Sequence, residues 1–287
     1  MLRIVCLVLL CLLSSCSVAP PQLDKPPDAG GILPGSDLWQ VMQTHGPVEW
    51  TGEETEEGRV FRYSQGRVVS KAGLVVRLFA ESLDVGTSTI RAGDGKSRVS
   101  ACWGKPISEF ERDGRSLSLY KFQRYRYEVE WESGKMKAVD VVEERLPTPN
   151  NPPYGAGTVG DSLRDEPDLE LDGVALDWKL SKVESVMGAS NSSATGRCRV
   201  FGEKNVPLVG LSEKDRVTWI LGKELRLGGG RWVSAGMTAK QASEKLSTIA
   251  RLKSYSVLQV TYTLLNFGDV TLSLDRQGKV MGVEWSR

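Results

Sequence analysis

Two stretches of this chain follow the same plan, and that repetition constrains the fold more than any other feature of the sequence. Three short segments recur at an offset that stays between 140 (Arg59 to Arg199) and 144 (Gly134 to Gly278) residues. Chance similarity would not keep the offset so constant, so the sequence predicts an internal duplication. The matched pairs are Arg59–Phe61 with Arg199–Phe201, Ser82–Gly86 with Glu224–Gly228, and Glu128–Val139 with Thr271–Val283.

Two segments without hydrophobic periodicity divide the chain around these repeats. Residues 16–35 are rich in Pro, Gly and Asp, which predicts a flexible tether. Residues 146–169 carry five prolines and several glycines, which predicts a linker. The predicted organisation is therefore a leader over residues 1–15, the tether, a first half over 36–145, the linker, and a second half over 170–287.

Each half contains two short helix candidates among alternating strands, which predicts an α+β fold dominated by strands. The longest alternating run, Tyr125–Trp131, places aromatic and aliphatic residues on one side and Arg and Glu on the other, as in a half-buried antiparallel strand. The fold class is then duplicated modules of short helices packed on antiparallel sheets. The helix candidates are Asp37–His45 capped by Ser36, Lys96–Trp103 ending at Gly104, Lys182–Met187 capped by Ser181, and Ala239–Thr248 capped by Thr238.

The first sixteen residues are typical of an export signal. Arg3 supplies one positive charge, Ile4–Leu13 is an unbroken apolar run, and small residues lead to Cys16. A run of ten apolar residues is too short to cross a bilayer as a helix, which needs about 20. One interpretation is an ordinary secretory signal with a coincidental cysteine, since Cys6 and Cys11 show that cysteine occurs within the run.

The other interpretation rests on a resemblance. Leu13–Cys16 (Leu-Ser-Ser-Cys) resembles a lipobox, the signature of bacterial lipoproteins. The resemblance implies that Cys16 receives a diacylglyceryl thioether and becomes the mature N-terminus, with several acyl chains such as palmitate giving stable membrane anchoring. It also implies a cell-envelope location, and Ser17 in place of an Asp favours the periplasmic face of the outer membrane in a two-membrane bacterium.

A second resemblance concerns the folded part. Ser97–Pro106 reads as a short helix ending in Gly, followed by a Tyr-rich strand and a Gly-Lys hairpin, and Val174–Gly188 opens in a similar way. These features resemble the SmpA/OmlA (BamE-like) lipoproteins, which implies two short helices on a three-stranded antiparallel sheet. Tandem copies of that plan occur in β-lactamase inhibitor proteins, so the resemblance also implies a sheet that holds a partner protein.

The remaining residues give little sign of chemistry. The whole chain has 37 basic and 36 acidic residues, and cleavage before Cys16 would remove one basic residue, Arg3, and no acidic residue. The mature chain would then have 36 of each, and this neutral balance argues against nucleic acid as a partner. Cys102 and Cys198 are either a disulfide or two buried thiols. The single histidine, His45, ends a helix candidate, and the acidic runs Glu53–Glu57 and Asp165–Asp168 are typical of solvated turns. We therefore predict no catalytic site, no metal and no cofactor.

Two functions fit these observations. The first is a membrane-anchored protein-interaction or structural module, with an envelope protein as partner. The second is an envelope enzyme that uses carboxylates in a cleft between the halves and raises the pKa of at least one. For the first function, large aromatic side chains are the expected contacts, because Trp is enriched at protein interfaces. The candidate partner surface is Trp39, Trp50, Trp131 and Trp285.

The lipid anchor can be checked directly. Mass spectrometry of the native membrane fraction should show an N-terminal peptide that begins at Cys16 and carries a diacylglyceryl group. Cys16→Ser should abolish that mass and release the protein from membranes. An unmodified thiol at Cys16, or an intact leader, would contradict the lipoprotein interpretation.

Overall fold

The computed structural model describes residues 23–144, 168–191, 197–202, 206–246, 251–257, 260–267 and 269–286. Within them the chain is a strand-dominated α+β protein with antiparallel sheets, which confirms the predicted fold class. We call residues 23–144 repeat 1 and residues 168–286 repeat 2.

The elements are short and numerous. The helices are α1 (Leu38–His45), α2 (Lys96–Trp103), α3 (Leu180–Met187) and α4 (Ala239–Leu246). The strands of repeat 1 are β1 (Glu49–Thr55), β2 (Gly58–Tyr63), β3 (Gly66–Lys71), β4 (Leu74–Ala80), β5 (Ser82–Val85), β6 (Ser88–Arg91), β7 (Ser108–Arg112), β8 (Arg115–Phe122), β9 (Tyr125–Glu132) and β10 (Lys135–Glu143). Those of repeat 2 are β11 (Glu170–Leu171), β12 (Cys198–Val200), β13 (Leu208–Leu211), β14 (Val217–Gly222), β15 (Glu224–Leu227), β16 (Arg231–Ser234), β17 (Arg251–Val257), β18 (Val260–Phe267), β19 (Val270–Leu274) and β20 (Val280–Ser286).

The two main sheets have the same strand order. Repeat 1 forms an eight-stranded sheet, β1-β2-β3-β4-β10-β9-β8-β7, and repeat 2 a seven-stranded sheet, β12-β13-β14-β20-β19-β18-β17. Apart from β1, each strand of one sheet has a counterpart in the other. In repeat 1 the hairpin β5–β6 and helix α2 follow β4, and in repeat 2 the hairpin β15–β16 and helix α4 follow β14. The sequence matches fall on equivalent elements: β2 with β12, β5 with β15, and β9–β10 with β19–β20.

The helices of repeat 1 begin and end close to the predicted residues. Helix α2 has the predicted bounds, and Gly104 ends it in a left-handed conformation at φ 79°. Helix α1 begins one residue later than predicted, because Asp37 and not Ser36 is its N-cap. The Asp37 carboxylate accepts the Trp39 backbone N–H at 2.9 Å.

The helices of repeat 2 differ more from the prediction. Helix α3 starts at Leu180 with Lys179 in the N-cap position, so Ser181 lies inside the helix and does not cap it. Thr238 does cap α4: its hydroxyl accepts the Gln241 backbone N–H at 3.3 Å, and the Gln241 side chain accepts the Thr238 N–H at 2.9 Å. The predicted end of this helix, Thr248, lies outside the described residues.

The segment 23–35 is not the flexible tether predicted from its composition. Ala29 and Ile32 are fully buried, Asp28 pairs with the Asp84 backbone, and the Tyr127 hydroxyl donates to the Pro27 carbonyl at 2.7 Å. The prolines and glycines here shape an extended strap across the core of repeat 1. Composition alone does not separate such a strap from a linker. Residues 16–22, the other part of the predicted tether, lie outside the described residues.

Repeat 1 covers one face of the repeat 2 sheet, which we call the covered face. The side chains of Leu208, Trp219 and Leu221 on this face belong to the same buried cluster as Phe61 of repeat 1. Trp219 meets the rings of Phe61 and Trp50 edge-on, at centroid distances of 6.1 and 5.4 Å. The other face of the repeat 2 sheet forms a separate core with α3, α4 and the β15–β16 hairpin.

A buried ion pair joins the repeats at this junction. Arg59 of β2 donates to the Glu284 carboxylate of β20, and each side chain is less than 5 % exposed. The second Glu284 oxygen accepts the Ala72 backbone N–H at 2.8 Å, and the Ser273 hydroxyl donates to the Ala72 carbonyl at 2.6 Å. Gly282 leaves room for this contact, since a Cβ there would lie 2.4 Å from the Ala72 carbonyl oxygen.

Loss of this carboxylate should destabilise the protein strongly. Glu284→Gln removes the buried partner of Arg59 and leaves only the half-exposed Glu54 carboxylate, 3.2 Å from the guanidinium. Breaking a buried pair costs about 3–5 kcal/mol, and Glu54 offsets part of that loss. Denaturant unfolding of the two proteins measures the difference. The control is Glu213→Gln, which breaks the exposed Arg197–Glu213 pair and should leave the unfolding midpoint nearly unchanged. Equal stability of the two variants would show that Arg59 does not depend on Glu284.

Candidate functional site

The face of the repeat 1 sheet that points away from its core is accessible to solvent in part, and we call it the open face. The rest of it is a small buried cluster, against which Met281 of repeat 2 packs: Val60, Val69, Leu74, Val76 and Val142. Strand alternation places one row of side chains on it from β2 to β9: Arg62, Arg67, Phe79, Asp140 and Glu128, each directly opposite the next. Arg62 and Arg67 are exposed and Phe79 is half-buried. The row therefore runs from positive charge through an aromatic ring to negative charge.

The open face is the counterpart of the covered face. In repeat 2 the row Leu208, Leu221 and Glu284 occupies the register of Arg67, Phe79 and Asp140. In the adjacent row, Gly210 and Trp219 stand where repeat 1 has Val69 and Arg77. The face in repeat 2 is therefore mainly apolar and buried by the neighbouring repeat, whereas the face in repeat 1 combines a small buried aliphatic cluster with a charged row.

The negative end of the row is neutralised within repeat 1. Arg77 donates to both Asp140 oxygens, at 2.8 and 2.5 Å, and also to Glu57 at 3.3 Å. Burial alone would lower the pKa of Arg77, but the hydrogen bonds and charges of Asp140 and Glu57 outweigh burial and raise it. Glu128 pairs in the same way with Arg112 and Arg126.

The positive end of the row lacks such neutralisation. Arg62 and Arg67 stand opposite each other on β2 and β3, and neither guanidinium has a carboxylate within 4 Å among the described residues. Glu49 is the cross-strand neighbour of Arg62 on β1 but makes no ion pair with it. Like charges directly opposite each other are unfavourable in a sheet, so this end is poised to accept an anion.

An aromatic ring borders the two arginines. The Arg67 guanidinium lies 5.2 Å and that of Arg77 4.9 Å from the centroid of the Phe79 ring, within cation–π range. Beside them is a groove of about 470 Å³, lined among others by Arg62, Tyr63, Ser64, Arg67, Phe79 and Glu81. A second groove of about 380 Å³, on the far side of Phe79, is lined by Glu53, Glu56 and Glu57.

Tyr63 lies beneath the first groove, on the core side of the sheet. Its side chain is 94 % buried, its ring is 5.0 Å from that of His45, and its hydroxyl has no hydrogen-bond partner among the described residues. Burial raises its pKa, and the charge of Glu81 raises it further, so the hydroxyl stays protonated. Because this hydroxyl is buried, a ligand in the groove does not reach it.

The structure corrects the predicted partner surface. Trp39, Trp131 and Trp285 are 4, 5 and 7 % exposed, so a partner could not reach them, and the prediction is wrong for these three. Trp131 and Trp285 lie on the inward side of their strands, and Trp39 packs at the junction beneath Lys223, whose Nζ is 3.8 Å from the ring centroid. Trp50 is half-buried against Trp219.

One tryptophan that the sequence did not single out is exposed. All eight tryptophans lie in the described residues, and only Trp232, on β16, exceeds one-third exposure. The open-face arginines were also missed, although the alternation in β2 and β3 already places Arg62 and Arg67 outward. A comparison of the repeats position by position would have found them, since Arg67 aligns with Leu208.

The two cysteines do not form the disulfide that was one of the two predictions. Cys102 on α2 is half-buried, Cys198 on β12 is buried, and both are free thiols. Burial raises the pKa of Cys198 to about 12, which keeps it protonated and unreactive. His45 ends α1 as predicted, and one ring nitrogen lies 3.1 Å from the Ala29 carbonyl oxygen.

A groove of about 400 Å³ lies between the repeats, where the enzyme alternative predicts paired carboxylates. It contains Asp37 and Asp275. Burial raises the pKa of Asp37, which caps α1 and binds Lys223. Asp275 accepts two backbone N–H groups of its own turn, from Gln277 and Lys279. Both carboxylates hold the backbone in place, so this groove offers no specific support for acid–base chemistry.

Another buried carboxylate has a structural role as well. Burial raises the pKa of Asp172 to about 6, while its oxygens accept the backbone N–H groups of Lys223 and Glu224 at 2.7 and 3.1 Å. The described residues contain no group of three or more His, Cys, Asp or Glu side chains placed to hold a metal. They also contain no helix long and apolar enough to cross a membrane.

No known protein family, curated protein or solved structure matches this chain. The stretch that suggested the BamE-like resemblance forms α2 followed by the four-stranded meander β7–β10. The resemblance implies three strands after two helices.

The thiols offer a test of this geometry. In the folded protein at pH 8, iodoacetamide should modify Cys102 well before Cys198, because Cys102 is half-buried, whereas Cys198 is buried and burial raises its pKa. Peptide mass mapping measures both, and unfolding in denaturant should make their rates similar. A disulfide-linked peptide pair, or faster modification of Cys198, would contradict the structure.

Proposed function

We propose that this chain is a membrane-anchored interaction module of a bacterial envelope, with lipid on Cys16 holding it and the open face of repeat 1 binding a protein partner. The observation that carries the proposal is the contrast between two equivalent faces. One is apolar and buried by the neighbouring repeat, and the other has two grooves, a half-buried aromatic ring and two arginines without an ion pair among the described residues. An accessible aromatic ring beside arginine is the composition found at the centres of protein interfaces.

The strap supports the anchored arrangement. Gln123, in the β8–β9 turn, donates to the Asp24 carbonyl at 3.3 Å, so the chain enters the fold at that end of the sheet. The seven residue steps from Cys16 to Leu23 span at most about 25 Å. Lipid on Cys16 would therefore keep repeat 1 close to the bilayer.

The binding face then stands clear of the anchor. Arg62 on β2 lies four strands across the sheet from β9, which is about 19 Å at the usual strand spacing. It also lies about 15 Å along the strands from the β8–β9 turn. This arrangement leaves the grooves accessible to another envelope protein.

Site-specific crosslinking in cells tests the proposal. We expect p-benzoylphenylalanine in place of Ser64, which is exposed beside the first groove, to give a reproducible adduct with an envelope protein. The matched control places the same residue at Ser185, which is exposed on α3 in repeat 2. Mass spectrometry identifies the adducts.

Two results would contradict the proposal. One is the absence of any reproducible adduct at position 64 in the lipidated protein. The other is the same set of adducts at positions 64 and 185, which would indicate random collision and not a binding face.

A further inference from the structure

We infer that the groove beside Arg62 and Arg67 binds a carboxylate carried by a turn or extended segment of the partner protein, with an apolar side chain next to that carboxylate seated on Phe79. This inference rests on the proposed interaction function and names the chemistry of the partner. Two features of repeat 1 lead to it: the guanidiniums of Arg62 and Arg67, which have no ion pair among the described residues, and the half-buried ring of Phe79 beside them.

The two guanidiniums set the charge of the ligand. Arg62 and Arg67 are opposite each other and exposed, and both line the same groove. Arg77, the third arginine of the face, is already committed to Asp140 and Glu57. A carboxylate between Arg62 and Arg67 would remove their mutual repulsion and gain charge-assisted hydrogen bonds. Glu81 at the groove edge opposes a second negative charge near it.

The aromatic ring determines what accompanies the charge. Phe79 is half-buried, with the Arg67 guanidinium of the neighbouring strand and the Arg77 guanidinium of its own strand 5.2 and 4.9 Å from its ring centroid. An apolar side chain beside the carboxylate would bury the rest of the ring.

The chain itself shows that a polypeptide turn fits this kind of face. On the covered face of repeat 2, the β3–β4 turn of repeat 1 sits against the sheet with its Ala72 N–H on the Glu284 carboxylate, and Arg59 completes the ion pair. There the repeat 2 sheet supplies the carboxylate, the turn supplies a backbone N–H, and strand β2 supplies the arginine. On the open face the sheet supplies the arginines, so the complementary segment supplies the carboxylate.

A lipid headgroup is a weaker match than a peptide. Its phosphate would also satisfy the arginines, but the groove is displaced from the β8–β9 turn at which the strap enters the fold. The acidic wall formed by Glu53, Glu56 and Glu57 on the other side of Phe79 would repel an anionic membrane surface. The same wall can attract a basic residue of a polypeptide.

Fluorescence anisotropy with the full-length lipoprotein in detergent tests the inference. The probe is a fluorescein-labelled hairpin peptide with Glu-Phe at its turn, and the matched probe carries Gln-Phe. We expect the Glu-Phe peptide to bind at least tenfold more tightly than the Gln-Phe peptide. The R62Q/R67Q variant should remove that preference. The control variant R91Q/R98Q removes two arginines that are also exposed but lie outside the groove, and it should bind like the wild type.

Several other outcomes would contradict the inference. Equal binding of the two peptides, no binding of the Glu-Phe peptide, or an equal loss in R91Q/R98Q would overturn the inference. Displacement of the peptide by phosphatidylglycerol vesicles but not by phosphatidylcholine vesicles would overturn it in favour of a lipid surface. If the Glu-Phe peptide fails to bind while the crosslink at position 64 persists, the carboxylate inference is wrong and the interaction function is still supported. If the peptide does not bind and the crosslink is also absent, both the inference and the interaction function are overturned.

Discussion

The ion pair between Arg59 and Glu284 is the contact on which the arrangement of the two repeats depends. Both charges are removed from water, a cost that only close pairing and further hydrogen bonds can offset. Glu284 meets that requirement with Arg59 on one oxygen and the Ala72 backbone on the other. The geometry tolerates little sliding of one sheet past the other, so it fixes the register in which Trp219 reaches Phe61 and Trp50.

In each repeat the helices cover one face of the sheet and leave the second face uncovered. In repeat 2 this second face carries Leu208, Trp219 and Leu221, which repeat 1 buries. In repeat 1 it carries paired charges, because Arg77 and Asp140 neutralise each other in positions where repeat 2 has Trp219 and Glu284. Arg62 and Arg67 take no part in that pairing, so within the part of the chain that the structure describes, one end of the open face carries charge without an ion pair.

The periodicity of the sequence was sufficient to predict the fold class but not to locate the candidate binding face. The alternation in Tyr125–Trp131 identified a strand and its inward side, because a period of two follows from strand geometry whatever the context. The same pattern cannot show whether another repeat covers the outward side, so it did not separate Trp219 from Arg77. The buried Trp39, Trp131 and Trp285 were misassigned for a related reason, since a large aromatic residue suits a core and an interface equally well. The strap over residues 23–35 was missed because its contacts are to residues far along the chain.

Those distant contacts set an order of events during synthesis. The Tyr127 hydroxyl that donates to the Pro27 carbonyl is synthesised 100 residues after Pro27. Asp28 likewise pairs with the backbone of Asp84, which is made later. In a polypeptide made from its N-terminus onward, residues 23–35 therefore stay undocked until most of repeat 1 has followed. Under the lipid anchoring that we propose, modification of Cys16 can precede the docking of these residues, because Tyr127 must be made before they dock.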